Sequence, residues 1–142
     1  MSAAATVLID TSALLALANP RDQYHEVAVA SARRFVDSGG RFVASVMVLS
    51  EVHVHVLYRA GAERARDLIS ALLADPLYEW YDVPVDLVES AVSAWLERFA
   101  GQKFSLTDAV SFELMRREKI SQAFAFDEHF RIAGWELYRS AS

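Results

Sequence analysis

Residues 122 to 134 read "QAFAFDEHFRIAG". Gln122 to Phe126 has the look of a short buried strand, and the residue that follows it is a carboxylate, Asp127. The other end of the chain repeats the arrangement. "TVLI", Thr6 to Ile9, is a β-branched and aliphatic run that stops at Asp10. Between these two segments the sequence alternates. "TSALLALANP" reads as a short helix ended near Asn19-Pro20, "HEVAVASARRFVDSGG" as an amphipathic helix closed by Gly39-Gly40, and "RFVAS" as a strand. "AERARDLISALLADP" is a further amphipathic helix, "YEWYDV" a strand, "VDLVESAVSAWLERFAG" and "SLTDAVSFELMRREK" two more helices, and "ELYRS" a final strand. Strands followed repeatedly by helices imply an α/β fold with a mainly parallel sheet covered on both faces.

One stretch admits two readings. "EVHVHV", residues 51 to 56, alternates as a strand does. In the wider window Met47, Val48, Leu49, Val52, Val56 and Leu57 form a broad helical face, and Gly61 is placed to close it. A helix from Ser45 to Ala60 is the expectation, because that length is long for a strand.

Composition narrows the class. A chain of 142 residues with 54% hydrophobic residues is expected to be a single domain over residues 1–142, large enough to bury one core. No apolar run approaches the roughly 20 residues of a membrane helix. The start lacks a basic region and Asp10 splits its apolar run, which argues against a signal peptide. The absence of cysteine excludes disulfides, zinc thiolates and thiol nucleophiles, and fits a cytoplasmic protein. The net charge of −5 does not by itself favour a nucleic-acid partner. Arginines do gather locally, at Arg33, Arg34, Arg59, Arg64, Arg66, Arg116 and Arg117; solvated helix faces and a basic groove both fit that grouping.

In open α/β sheets, ligands bind beyond the carboxyl ends of the strands. Asp10 and Asp127 fall there, and in a parallel sheet both lie on one edge. Asp108 sits in the first turn of the helix that starts near Ser105, and Glu51 sits among the mostly apolar neighbours Met47, Val48, Val54 and His55 with no lysine or arginine within a turn. Each has a structural alternative. Asp10 and Asp127 could be helix caps, Asp108 the third residue of a capping box opened by Ser105, and Glu51 a solvent-facing residue. An ionised carboxylate in apolar surroundings is costly unless paired or bound to a cation. His53 and His55 point to different faces of a helix, and His25 and His129 read as surface or packing residues. Trp80, Tyr81 and Trp95 read as core rather than as base-stacking residues.

These segments resemble the PIN domain and, within it, the VapC-type toxins of bacterial toxin–antitoxin pairs. The matching stretches are "VLIDTSALLALANPRDQYHEVA", "SVMVLSEVHVHVLYRAG", "FSLTDAVSFELMRREKI" and "AFAFDEHFRIAGWELY". The resemblance implies a three-layer α/β/α sandwich around a mainly parallel sheet of about four or five strands. It implies a metal-dependent endoribonuclease with Asp10, Glu51, Asp108 and Asp127 as catalytic, metal-binding acids and Ser12 in support. It also implies homodimerisation and inhibition by a small VapB-type antitoxin protein. Many relatives have a hydroxyl residue two positions before the last acid; here that position is Ala125.

Oxygen ligands without cysteine suit Mg2+, with Mn2+ as a substitute. The expected chemistry is in-line hydrolysis of an RNA backbone phosphate, with Asp10 and Asp108 as the main direct ligands and Glu51 and Asp127 placing waters or a second ion. Two ions, if present, would lie about 3.5–4 Å apart. The rivals are a PIN-fold RNA-processing nuclease outside a toxin system, an inactive PIN-fold binding protein, and an aspartyl phosphatase. The last wants an acid two residues after Asp10, where the chain has Ser12.

Overall fold

The computed structural model describes residues 5–139. Residues 1–4 and 140–142, including the last residue of the expected "ELYRS" strand, lie outside the described part. Strand β1 (Thr6–Ile9) leads into α1 (Thr11–Ala18) and α2 (His25–Asp37), then β2 (Arg41–Ser45), α3 (Val46–Ala60), α4 (Ala62–Ala74) and β3 (Tyr78–Tyr81). Next come α5 (Val85–Ala91), which continues in π-helical turns over Val92–Glu97, then α6 (Leu106–Glu118), β4 (Gln122–Phe124), α7 (His129–Ile132) and β5 (Glu136–Leu137).

The five strands form one sheet in the order β3-β2-β1-β4-β5, and every pairing is parallel. Side chains alternate across it, as the pleat requires. Val7, Ile9, Phe42, Ala44 and Phe124 face α1 to α4 and pack with Ala13, Ala28, Val48 and Leu72. Leu8, Val43 and Ala123 face the other way and pack with Leu87, Trp95, Val110 and Phe112 of α5 and α6. The result is the expected three-layer α/β/α sandwich with a parallel sheet.

The ambiguous "EVHVHV" stretch is helical. Burial of Val48, Leu49 and Val52 along one side of α3 decides it against the strand pattern. Gly61 then turns the chain straight into α4 at a φ of 96°, a conformation that a side chain disfavours.

Some boundaries differ from expectation. β3 ends at Tyr81 because its ladder partner β2 ends at Ser45, which leaves Asp82 and Val83 nothing to pair with. β4 ends at Phe124, not Phe126, because the Phe126 N–H is taken at 2.9 Å by the Ser12 hydroxyl instead of a neighbouring strand. The helix expected through residue 101 passes into π turns after Ala91. There Trp95 packs on Phe99 and Phe112 and donates its Nε1–H to Glu113 at 3.2 Å. Trp80 and Tyr81 also pack against the core, as expected. No helix among the described residues is long and apolar enough to cross a membrane.

Candidate metal-dependent active site

Strand order reverses between β1 and β4, and the crevice of an open parallel sheet lies at such a point, beyond the strand ends. Ile9 and Phe124 are the last paired residues there, and the Asp10 N–H donates to the Phe124 carbonyl at 3.0 Å. Asp10 is therefore anchored directly past the crevice floor, almost fully buried. Its side chain also accepts from the Ser12 N–H at 3.4 Å and the Ser12 hydroxyl at 3.1 Å. The cap reading and the site reading thus describe one residue: Asp10 caps α1 through Oδ2, while its buried Oδ1 has no hydrogen-bond partner.

Asp108 does the same at α6. Its carboxylate and the Ser105 hydroxyl exchange hydrogen bonds with each other's backbone N–H at 3.0 Å, a capping box. Asp108 Oδ2 also meets His129 Nδ1 at 2.8 Å. Both contacts fall on Oδ2. Asp127 lies three positions past the end of β4 and accepts the His129 N–H at 3.0 Å, which starts α7. One ligand atom from each of Asp108, Asp127 and His129 lies within 4.8 Å of the others.

The electrostatics register this crowding. Burial, and then the negative charges of Asp127 and Asp108, hold the Asp10 carboxyl well above the ordinary carboxylate range. Burial also raises Asp108, against the lowering effect of its hydrogen bonds from Ser105 and His129. Buried acids that repel one another, with an orphaned Oδ1 among them, are the donor set a hard divalent cation would satisfy.

Glu51 stands slightly apart. Its carboxylate accepts the Thr11 hydroxyl at 2.7 Å, so it joins the crevice through the residue next to Asp10. It lines a small hollow of about 300 Å³ together with Thr107, the neighbour of Asp108. The three aspartates converge; Glu51 is held beside them.

A profile of the PIN domain matches residues 7–136. The chain belongs to the PIN domain family. It is 33% identical over 129 residues to the 23S rRNA-specific endonuclease VapC20 of Mycobacterium tuberculosis, a match covering 91% of this chain and 95% of that protein. The crystal structure of M. tuberculosis VapC20, described as a Sarcin-Ricin loop cleaving toxin, superposes with a TM-score of 0.82 at 30% identity and covers 94% of this chain and 99% of that one. The crystal structure of VapBC2 from Rickettsia felis, bound to a DNA fragment from their promoter, shares the fold at 15% identity and a TM-score of 0.62, covering 93% and 96% of the two chains. By family and by these relatives this PIN domain is a nuclease of the VapC type.

His129 is the residue that sequence reasoning missed. It was expected on the surface or in packing, and one face of it does pack edge-on against Phe104. Its Nδ1, however, grips Asp108. With Nδ1 donating, the neutral ring keeps Nε2 as an acceptor, the form in which imidazole binds metals. The signal was its place two residues after Asp127, where the turn brings it back over the crevice. His25 is a packing residue, with Nδ1 2.7 Å from the Ala16 carbonyl.

Ser12 ties the PIN crevice together, since its hydroxyl links Asp10 to the backbone that leads to Asp127. Ala125, where the resemblance led to the expectation of a hydroxyl, is fully buried in the α5–α6 core. Here the hydroxyl that reaches this loop comes from Ser12. Ser12→Ala is expected to lower cleavage about 10–100-fold, the usual cost of losing a group that orients a ligand, with little change in melting temperature. Unaltered turnover in that variant would remove Ser12 from the site.

Proposed function

We propose that this PIN domain hydrolyses RNA phosphodiester bonds with Mg2+, for which Mn2+ can substitute, and that it is the toxin of a VapBC-type pair acting in the cytoplasm. The observation that carries the reading is the convergence of Asp10, Asp108 and Asp127, with His129, beyond the β1 and β4 ends. Asp10 and Asp108 would hold the cation, with Asp127 and His129 completing its surroundings. Glu51, fixed by Thr11, would orient solvent at the edge of the crevice. A bound divalent cation supplies the positive charge that admits a phosphate to an acidic cleft and stabilises charge on its oxygens. The protein's own part is placement. Two helix caps and the Ser12 bridge fix the acids before substrate arrives, so little reorganisation is needed when charge develops.

VapC20 is named for 23S rRNA and for the sarcin-ricin loop, which makes that hairpin the first RNA to test here. A small VapB-type antitoxin partner fits the fold shared with VapBC2. A homodimer is supported by the apolar residues left exposed along α3, Val46, Val54 and Tyr58.

Antitoxin-free protein should cut the rRNA hairpin in Mg2+ or Mn2+ and stop in chelator. Sizing the same sample alone and with antitoxin gives the assembly. Folded protein that leaves both the hairpin and total RNA intact in either metal would reject the nuclease reading.

A further inference from the structure

We propose that the groove between the α1–α2 turn and the α3–α4 corner is the track for a single-stranded segment of the RNA, with Tyr24 as the platform for one base. Arg21, Arg59 and Arg64 are its phosphate contacts. The proposal rests on the RNA reading above and goes beyond it to the residues that would position the strand.

The groove has a volume of about 770 Å³, and Ser12 and Asp127 lie in its wall. A strand lying in it therefore passes Asp127, one of the crevice carboxylates. Tyr24 stacks on Phe126 with ring centroids 4.7 Å apart and planes 9° from parallel, and the Arg139 guanidinium lies 4.9 Å from the Phe126 ring. Tyr24 is nevertheless 38% exposed, so a supported aromatic surface is left open to the groove. Stacking of this kind suits unpaired bases and tolerates any of them.

The charge in the groove runs against that of the chain. Arg21, Arg59 and Arg64 line it and form no ion pair among the described residues, in a protein whose net charge is −5. Of the acids in the wall, Asp22 is engaged by the Tyr24 N–H at 2.8 Å and Asp127 belongs to the crevice. Unpaired guanidinium groups beside an exposed aromatic ring match a polyanion with flat bases. They match an apolar helix less well.

The test uses full-length Asp10→Asn protein, which leaves the RNA uncut. Its binding to a fluorescein-labelled single-stranded RNA of mixed sequence is followed by anisotropy across a salt series. Arg59→Ala/Arg64→Ala should weaken binding and flatten the salt slope by about 1.4, two contacts at roughly 0.7 each. Tyr24→Ala should weaken it about 5–150-fold with the slope unchanged, and Tyr24→Phe should restore it. In the cleaving protein the same changes should raise KM more than they lower kcat.

The exposed arginines keep the double variant informative even if Tyr24→Ala folds poorly. RNA affinity and slope unchanged in the variants would overturn the groove assignment, while loss of cleavage in Asp10→Asn would leave the nuclease reading standing. Variants that bind RNA normally but lose a VapB-type antitoxin would give the groove to the protein partner instead. No RNA binding by Asp10→Asn together with no cleavage by the unaltered protein would overturn both readings.

Discussion

Asp10→Asn is expected to cut nuclease activity by about 10²–10³-fold or more while making the metal-free protein more stable near neutral pH. Both effects come from one carboxylate. Asparagine caps a helix as well as aspartate does, so α1 keeps its start and the substitution removes little but charge. The sign of the stability effect follows from proton linkage. The folded Asp10 carboxyl titrates above its unfolded value, because of burial and then the charges of Asp127 and Asp108. Between the two values the folded state holds more protons, so stability falls as pH rises through that window. Above it the full penalty is present; below the ordinary carboxylate range both states are protonated and the penalty vanishes. The variant should therefore melt higher by roughly 3 °C or more at neutral pH and converge with the unaltered protein in acid. Added Mg2+ or Mn2+ should reverse the order, stabilising the unaltered chain and not the variant. Melting curves across pH, with and without metal, measure all of this. A variant that melts lower at neutral pH without metal would mean that the Asp10 charge is already compensated.

The difference between what the chain announced and what it concealed is instructive at particular residues. β1 and β2 could be bounded from sequence because β-branched and aromatic runs stop at abrupt chemical changes, Asp10 and Ser45 followed by a helix. The three aspartates could be found because strand ends and a helix start give them fixed places relative to a parallel sheet. His129 could not, because its contact with Asp108 depends on a loop folding back across the crevice, and no periodicity encodes that. The end of β4 was hidden for a related reason: Phe126 keeps the strand composition while its N–H is captured by a side chain 114 positions away. Trp95 read as one more core residue, yet it sits in π turns that aim its indole at a buried acid. Local pattern reports which face is apolar; it does not report which polar group waits beneath that face.

That buried acid supports the second large effect. Glu113 lies in the stretch of α6 that is buried continuously from Thr107 to Met115. Glu113 is fully buried, accepting from Trp95 and from Arg116 Nε at 2.9 Å, while Arg117 joins it at 3.3 Å. Arg117 also reaches Asp86 and Ser90 of α5, so the carboxylate pins α6 to its neighbour. The hydrogen bond from Arg116 lowers the Glu113 carboxyl below the ordinary range despite its burial. Its contribution is thus present above the unfolded value and is lost as pH falls through the folded one, opposite to Asp10. The burial is one-sided, because both arginines keep solvent contact. Removing both in Arg116→Ala/Arg117→Ala strands a buried carboxylate and should lower the melting temperature by roughly 10 °C. Glu113→Leu instead frees the arginines into water and fills the site with an apolar side chain, so it should cost much less. If Glu113→Leu proved the more damaging change in thermal melts, the carboxylate would be holding α5 to α6 by more than its pairing with those two arginines, and the Trp95 hydrogen bond in the π turns would be the contact to examine.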